Sequence, residues 1–289
     1  HQLPRLNGFE FMMAPYAVAH LKLDMVLAQT GYKAKQDKRL RIFLTNSLEE
    51  CDHDTGTLFA QWLAQEANEA NLVKRDTPVM VMIGNPPYSV SSSNKSAWIQ
   101  GLLDDYKRNL NEKKLNLDDD YIKFIRLGHY YVEKNGEGVL AYISNNSFID
   151  GITHRQMRKA LMETFDEIYI LDLHGNTRKK ETTPDGGKDE NVFDIMQGVS
   201  INIFVKKKQS VILSEARKGE VEGSLARVYH YELFGKRFEK YAFLAKTSFS
   251  DIPWYELTPQ APQYFFVPKD FSVQEEYEKG FKVDDLMKV

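Results

Sequence analysis

Residues 79–88 read Val79-Met80-Val81-Met82-Ile83-Gly84-Asn85-Pro86-Pro87-Tyr88, a short apolar run that stops at a polar, proline-paired loop. The run is rich in β-formers, bounded by Pro78 and Gly84, and apolar on both faces, which predicts a strand inside a parallel sheet. Two consecutive prolines then forbid helix and ladder alike, so the chain leaves the sheet in a rigid, extended loop. Ligands of open α/β sheets collect at the carboxyl ends of strands, where such a loop sits. The loop carries one side-chain amide, carbonyls outside any ladder and one aromatic ring. The Asn85 side-chain oxygen and the Pro86 carbonyl can each accept a hydrogen of an exocyclic amino group, while Tyr88 stacks on the ring that bears it.

Outward from this stretch, strands and helices alternate. Residues 3–9 suggest a strand ending at Glu10, and 11–29 a helix that holds Pro15 in its first turn and stops at Thr30-Gly31. A strand at 41–44 ends at Thr45-Asn46-Ser47, and a helix covers about 57–72. After the proline loop comes a Ser/Asn-rich stretch, 89–96, then a helix at 121–133 and a strand at 138–144. Helix 153–163, strand 167–173, a long polar loop 174–191 and strand 198–206 complete the series. Such alternation predicts an α/β fold, a mostly parallel sheet with helices on both faces. Lys206-Lys207-Lys208 and the polar residues after them mark a boundary. Residues 1–208 are expected to form the main domain, and 209–289 a small α+β extension with strand-like pieces at 227–233 and 264–267 around a helix near 236–246.

At 289 residues, with 42% hydrophobic and 27% charged residues, the chain has the composition of an ordinary globular protein. The single cysteine, Cys51, excludes a disulfide framework and suits a reducing, cytoplasmic setting. It lies in Glu49-Glu50-Cys51-Asp52-His53-Asp54, a stretch better read as a solvated loop than as a metal site, and no metal is expected. No apolar run has the length of a membrane span. The net charge of −3 lacks the basic excess of a free-standing DNA-binding enzyme.

The tetrapeptide Asn85-Pro86-Pro87-Tyr88 resembles the catalytic motif of amino-methyltransferases, which use S-adenosylmethionine to methylate adenine N6 or a glutamine amide. Together with Gly8-Phe9-Glu10, Met13-Ala14-Pro15-Tyr16-Ala17-Val18-Ala19-His20, Leu171-Asp172-Leu173-His174-Gly175-Asn176, Asn191-Val192-Phe193-Asp194-Ile195 and Gly198-Val199-Ser200-Ile201, it is similar to the adenine-methyltransferase part of Type I-like single-polypeptide (Type ISP) restriction-modification enzymes. The resemblance implies a Rossmann-like methyltransferase fold. It also implies a site on Asn85, Pro86, Pro87 and Tyr88, whose acceptors hold both amino hydrogens and free the nitrogen lone pair as charge develops. A base inside a duplex cannot reach such a pocket, so double-stranded DNA with a flipped adenine is the implied substrate, stacked on Tyr88 and Phe193.

For the cofactor, S-adenosylmethionine, the resemblance implies Glu10 on the ribose hydroxyls, Asn46 on the adenine amine, where many relatives carry Asp, and Phe124 lining the adenine pocket. Arg178, Lys179, Lys180 and Lys188 in loop 174–191 are candidate contacts to DNA phosphates, against the simpler reading of a solvated loop. A glycine-rich loop after a first strand is missing: Gly136-Glu137-Gly138 precedes a strand and is a helix-to-strand turn. With His1 in first place, the expectation is a piece of a longer polypeptide. The first strand and nuclease-helicase sequences would lie upstream and a target-recognition domain downstream, and this piece alone would bind cofactor weakly or not at all. A protein-glutamine or RNA-adenine methyltransferase, and a non-catalytic DNA-contacting fragment, remain alternatives.

Overall fold

The computed structural model describes residues 3–32, 39–50, 58–88, 92–110, 117–208 and 225–272. The chain divides into two compact units, His1–Tyr142 with Lys206–Lys218, and Ile143–Val205 with Gly219–Val289.

In the first unit, β1 (Gly8–Glu10) leads through Phe11 and Met12 into α1 (Met13–Gln29), which stops at Thr30. Most apolar side chains of α1, among them Val18, Leu21, Met25 and Val26, are exposed, and only Tyr16 is buried. Strand β2 (Ile42–Leu44) pairs parallel with β1 and sets Glu10 opposite Leu44. Phe43 of β2 is fully buried against Ala70 and Val73 of α2 (Leu58–Asp76), with Phe9 of β1 beside them. Burying such side chains stabilises by about 1.5–3 kcal/mol each, enough to fix α2 on this small sheet.

Next come β3 (Val81–Gly84), α3 (Ala97–Lys107), α4 (Asp120–Asn135) and β4 (Gly138–Asn145). Ser96 caps α3 by accepting from the Ile99 N–H at 3.4 Å, and Asp119 caps α4 through the Tyr121 N–H. Gly136, at φ 76°, ends α4 in the left-handed conformation that favours glycine. The two helices are bound through buried polar contacts. Tyr106 Oη lies 3.0 Å from His129 Nδ1, and Arg126 donates to Asp105 at 2.7 Å and to the Leu102 carbonyl at 2.9 Å.

Strand β3 pairs parallel with β4 but, among the described residues, stands at the sheet's edge. The expectation of two buried faces is therefore corrected: Met82 packs on the core, while Val81 and Ile83 are exposed, Ile83 at 81%. An apolar run shows that a strand is favoured without showing how many neighbours it has.

The second unit holds the last residues of β4, then α5 (Ser147–Asp150), α6 (Arg155–Thr164), β5 (Glu167–Asp172), β6 (Val199–Lys206), β7 (Arg227–Glu232), α7 (Arg237–Lys246) and β8 (Tyr255–Leu257). The end of β4 lies beside β6, with Asn202 Nδ2 donating to Ser144 Oγ at 3.0 Å, and the order continues β5-β7-β8. β5 and β7 are parallel, whereas β6 runs antiparallel to β5 and β8 to β7. The sheet is thus mixed, a second correction. No α-helix forms between β5 and β6 to carry a parallel crossover, and the chain returns in the opposite sense. Residues 264–267 are not a strand either. Tyr264 takes φ 51°, the Phe266 N–H donates singly to the Ile149 carbonyl at 2.8 Å, and β8 pairs with β7 instead. The strand at 227–232, placed by the sequence in the extension, is a full neighbour of β5. Among the described residues no helix is long and apolar enough to cross a membrane.

Candidate functional site

Gly84 closes β3 directly opposite Tyr142 of β4, and a Cβ there would stand 3.0 Å from the Tyr142 ring. Glycine lets the strand end against that ring. From this point Asn85-Pro86-Pro87-Tyr88 leaves without strand or helix, as two prolines require. Pro86 is buried and anchors the loop, while Asn85 and Pro87 are exposed and Tyr88 is half-buried. The Tyr88 hydroxyl donates to Asn85 Oδ1 at 3.1 Å. Burial pushes the Tyr88 phenol up to about 12, so it stays a neutral donor at any ordinary pH. Asn85 therefore keeps one acceptor lone pair beyond the one Tyr88 uses.

The residues assigned to a cofactor lie at the carboxyl edge of β1 and β2. Glu10 ends β1, and its Oε1 accepts the Met12 N–H at 2.8 Å, satisfying a free donor at the start of α1. Asn46 follows β2 by two residues. Its Oδ1 accepts the Leu48 N–H at 3.0 Å, and its Nδ2 donates to Asn94 Oδ1 at 2.9 Å and Glu49 Oε1 at 3.2 Å. Beneath this turn lies Lys74 of α2, buried, with its ammonium on Thr45 Oγ1 at 2.9 Å, the Asn46 carbonyl at 2.7 Å and the Glu49 carbonyl at 3.1 Å. The ammonium also sits 5.8 Å from the Phe9 ring centroid, joining the two strand ends.

Phe124 of α4 is partly buried on a cluster of Leu48, Ile99, Leu127 and Tyr131, against which Met82 of β3 also packs. One core cluster thus receives the residue after the Asn46 turn, the candidate adenine-side ring and the strand that delivers Asn85.

In the second unit, Phe193 is half-buried in a firmly held loop. Its N–H donates to Asn191 Oδ1 at 2.8 Å, and its carbonyl accepts from Arg237 at 2.9 Å. Tyr241 donates to the Val192 carbonyl at 2.5 Å, and fully buried Lys240 pairs with Asp189 at 2.8 Å. Arg178, Lys179, Lys180 and Lys188 are all exposed. Their loop is hydrogen-bonded: Asn176 Oδ1 accepts the N–H groups of Arg178 and Lys179, each at 3.1 Å, and Thr182 bridges Lys188. Lys179 lies 3.8 Å from Asp150 and Lys188 3.3 Å from Glu190, so those two charges are partly matched.

His174, at φ 51°, is ringed by Asp172 at 3.7 Å, Glu181 at 4.0 Å and Glu232 at 3.4 Å, and stacks on Phe234 at 3.9 Å. Burial pulls its pKa down, but Glu232, Asp172 and Glu181 together lift it above the ordinary value. Burial raises that of Asp172 in turn, against the opposing pull of His174 and Asn146.

Residues 7–178 match the model of the Eco57I restriction-modification methylase family. The chain belongs to that family. Three solved structures are similar to it: the cryoEM structure of a DrdV–DNA complex (26% identity, TM-score 0.72, 91% of this chain and 25% of that one), the ATP-dependent Type ISP restriction-modification enzyme LlaBIII bound to DNA (23%, 0.73, 93% and 18%), and a nuclease-deletion mutant of the Type ISP enzyme LlaGI with a DNA substrate mimic (21%, 0.73, 93% and 22%). The chain spans a quarter or less of the length of each. The two Type ISP likenesses establish the fold, a methyltransferase-like α/β architecture. No curated protein matches the chain.

The Eco57I-family match takes in Glu10, Asn46, Asn85, Tyr88, Phe124 and the Arg178 end of the basic loop, while Phe193 and Lys188 fall beyond it. The donor set at the β1/β2 edge suits the nucleoside half of S-adenosylmethionine. A carboxylate with one oxygen outside the Met12 bond can take ribose hydroxyls, and an amide oxygen with a spare lone pair can take an amino hydrogen. Lys74 and Asn94 escaped the sequence reading as parts of these places, and His174 entered it only within the stretch 171–176 that carries the resemblance. Lys74 is one more basic residue at a helix end, and Asn94 lies in a stretch legible only as a polar loop. Cys51, Asp52, His53 and Asp54 lie outside the described residues. Among the described residues no group of three or more His, Cys, Asp and Glu side chains is placed to hold a metal ion.

Proposed function

We propose that this chain is the methyl-transferring part of a larger cytoplasmic restriction-modification polypeptide, a site-specific DNA adenine-N6 methyltransferase using S-adenosylmethionine. The observation that carries the reading is the Asn85-Pro86-Pro87-Tyr88 loop at the carboxyl end of β3, with its amide oriented by the tyrosine hydroxyl. In that larger protein, nuclease-helicase and target-recognition domains would supply motion, cleavage and sequence reading, and with them the positive charge that this chain lacks. Membership of the Eco57I family and likeness to structures solved with DNA support DNA over RNA or a glutamine side chain as the acceptor.

When bound, S-adenosylmethionine supplies the methyl group. Glu10, Asn46 and Phe124 would hold its nucleoside end, Glu10 through the ribose hydroxyls and Asn46 through the adenine amine. Asn85 Oδ1 and the Pro86 carbonyl accept the two hydrogens of the target amine, turn its lone pair outward and stabilise the positive charge that develops on nitrogen. A strong base is not needed for this work, because the methylated nitrogen, once cationic, is acidic enough to release its extra proton to water as the thioether leaves. Tyr88 orients Asn85 and offers a face to the extruded ring, and Phe193 would offer the second. The exposed cations Arg178, Lys179, Lys180 and Lys188 would track phosphates weakly, two of them already facing carboxylates.

The test is Asn85→Ala in the complete enzyme, read by mass spectrometry of N6-methyladenine in DNA. Loss of one transition-state acceptor should lower the rate by about 10²–10³ while DNA affinity is kept. A near wild-type rate would reduce the loop to a structural turn.

A further inference from the structure

Asn46 stands where an adenine-reading residue must accept a hydrogen bond, yet an amide end-for-end flip would present a donor there instead. The surrounding contacts fix which end faces where. Asp120, buried at the start of α4, offers a carboxylate oxygen that accepts from Asn94 Nδ2 at 3.0 Å and from Ser92 Oγ at 2.5 Å. A carboxylate only accepts, so the Asn94 group facing it is the NH2, and the Asn94 oxygen faces away. That oxygen meets Asn46 at 2.9 Å, so the Asn46 group facing it is again the NH2. The Asn46 oxygen is thereby turned to the Leu48 N–H, which occupies one of its two lone pairs. Asn94 is itself held, for Lys123, fully buried, donates to its carbonyl at 2.6 Å and pairs with Asp118 at 2.7 Å.

We infer that Asp120 and Asn94 form a relay that locks Asn46 as an acceptor, making this edge selective for a nucleoside with a 6-amino group over its 6-oxo counterpart. The inference rests on the proposed cofactor reading and deepens it. Asp120 and Asn94 are positioning residues, and Asn46 is the one that touches the ligand. With the relay intact, a 6-oxo group would set oxygen against oxygen. Sites built to bond a polar group reject the analogue that lacks it. With Asn46 flipped, the preference would reverse. The Glu49 contact at 3.2 Å supports the same orientation from a less buried side.

The test titrates the isotope-labelled 289-residue protein with S-adenosylhomocysteine and S-inosylhomocysteine by NMR, which reads millimolar binding as well as tighter binding. The wild type should prefer the adenine compound by about tenfold, one hydrogen bond's worth. Because Glu49 also accepts from Asn46 Nδ2, the relay is broken by Asn94→Ala, and independently by Asp120→Leu, each combined with Glu49→Ala; each pair should reduce the preference by about threefold or more, the worth of one bond. Asn46→Asp presents oxygen at both ends, so it should restore the preference in either variant. A preference undiminished in both Asn94→Ala/Glu49→Ala and Asp120→Leu/Glu49→Ala, in folded protein, overturns the inference. So does a loss that Asn46→Asp fails to repair, since that would mark a general structural effect. Equal wild-type binding of both compounds also overturns the relay while leaving a cofactor edge in place. Binding of neither overturns the relay as a device of this 289-residue protein, while the cofactor reading is then judged separately by the same titration of the complete enzyme.

Discussion

The Tyr88 hydroxyl donates to Asn85 Oδ1 across 3.1 Å, so the ring and the amide of the proline loop are bound to each other before any substrate arrives. This bond gives Tyr88 two separable roles, orienting Asn85 and stacking. Tyr88→Phe keeps the ring and removes only the bond. It should lower kcat of the complete enzyme by about 2–10-fold, the worth of one neutral hydrogen bond. Tyr88→Ala should cost more, since stacking adds about 1–3 kcal/mol. Because the phenol sits near 12, Tyr88 should add no pH dependence to kcat between pH 6 and 9. A Tyr88→Phe enzyme with wild-type kcat would show that the bond is not used.

The second unit should lose stability in mild acid. Burial lowers His154 and His230 to about 4, with Arg158 adding to the effect at His154, while at His230 Glu232 opposes it and His174 adds to it. Unfolded histidine titrates near 6.5. Between these values the unfolded chain binds more protons, so this contribution is present above pH 6.5 and is lost as pH falls toward 4. Each site should cost on the order of 2 kcal/mol at pH 5. His174 works in the other sense, its raised pKa favouring the folded state below 6.5 and fading as pH rises through its folded value. Urea unfolding at pH 7.5 and 5.0 should show the loss, and His154→Gln or His230→Gln should each shrink it. An unchanged difference in both variants would place the acid sensitivity elsewhere.

Arg158 of α6 is fully buried and spends its guanidinium on backbone: the carbonyls of Phe148 at 2.6 Å, Gly151 at 2.8 Å, Gln263 at 3.0 Å and Tyr264 at 2.8 Å. It joins the turn after β4 to the irregular chain at 263–264, where no ladder supplies partners. Arg158→Met fills similar volume but orphans those carbonyls, and should destabilise by on the order of 3 kcal/mol. Chemical denaturation measures this directly. A cost under about 1 kcal/mol, the scale of a tolerated surface change, would mean that water replaces the guanidinium.

How much of this was legible depends on how local each cause is. The strand before Asn85 and the break after it follow from neighbouring residues, so sequence was sufficient for both. The Ser96 cap and the apolar spacing of Ile99, Leu103 and Tyr106 also announce α3, although the sequence reading holds no element between the Ser/Asn-rich run and the helix at 121–133. The exposure of Ile83 was not legible, because periodicity reports a face and not a neighbour. Nor was the direction of β6, which depends on how residues 173–198 return. The relay from Asp120 to Asn46 spans separations of 26 and 48 residues, and only the folded chain brings its members together.

Phe193 is the candidate second face for an extruded base, and the structure shows how its position is kept. Its N–H is held by Asn191 and its carbonyl by Arg237, whose guanidinium also reaches Asp194 at 2.8 Å and the Asn191 carbonyl at 2.7 Å. The backbone is thus pinned on both sides while the ring stays half-buried, an arrangement suited to presenting a ring. Base–aromatic stacking is worth about 1–3 kcal/mol, so Phe193→Ala in the complete enzyme should weaken capture of the flipped base by about 5–150-fold and leave cofactor affinity unchanged. A 2-aminopurine at the target position should be quenched in the wild type and brighten in Phe193→Ala and in Tyr88→Ala. Arg237→Ala, which frees the loop without touching the ring, should give a smaller increase of the same sign. If Phe193→Ala leaves both the fluorescence and the methylation rate unchanged, the ring is packing for its own unit, and the second face must be sought on another residue.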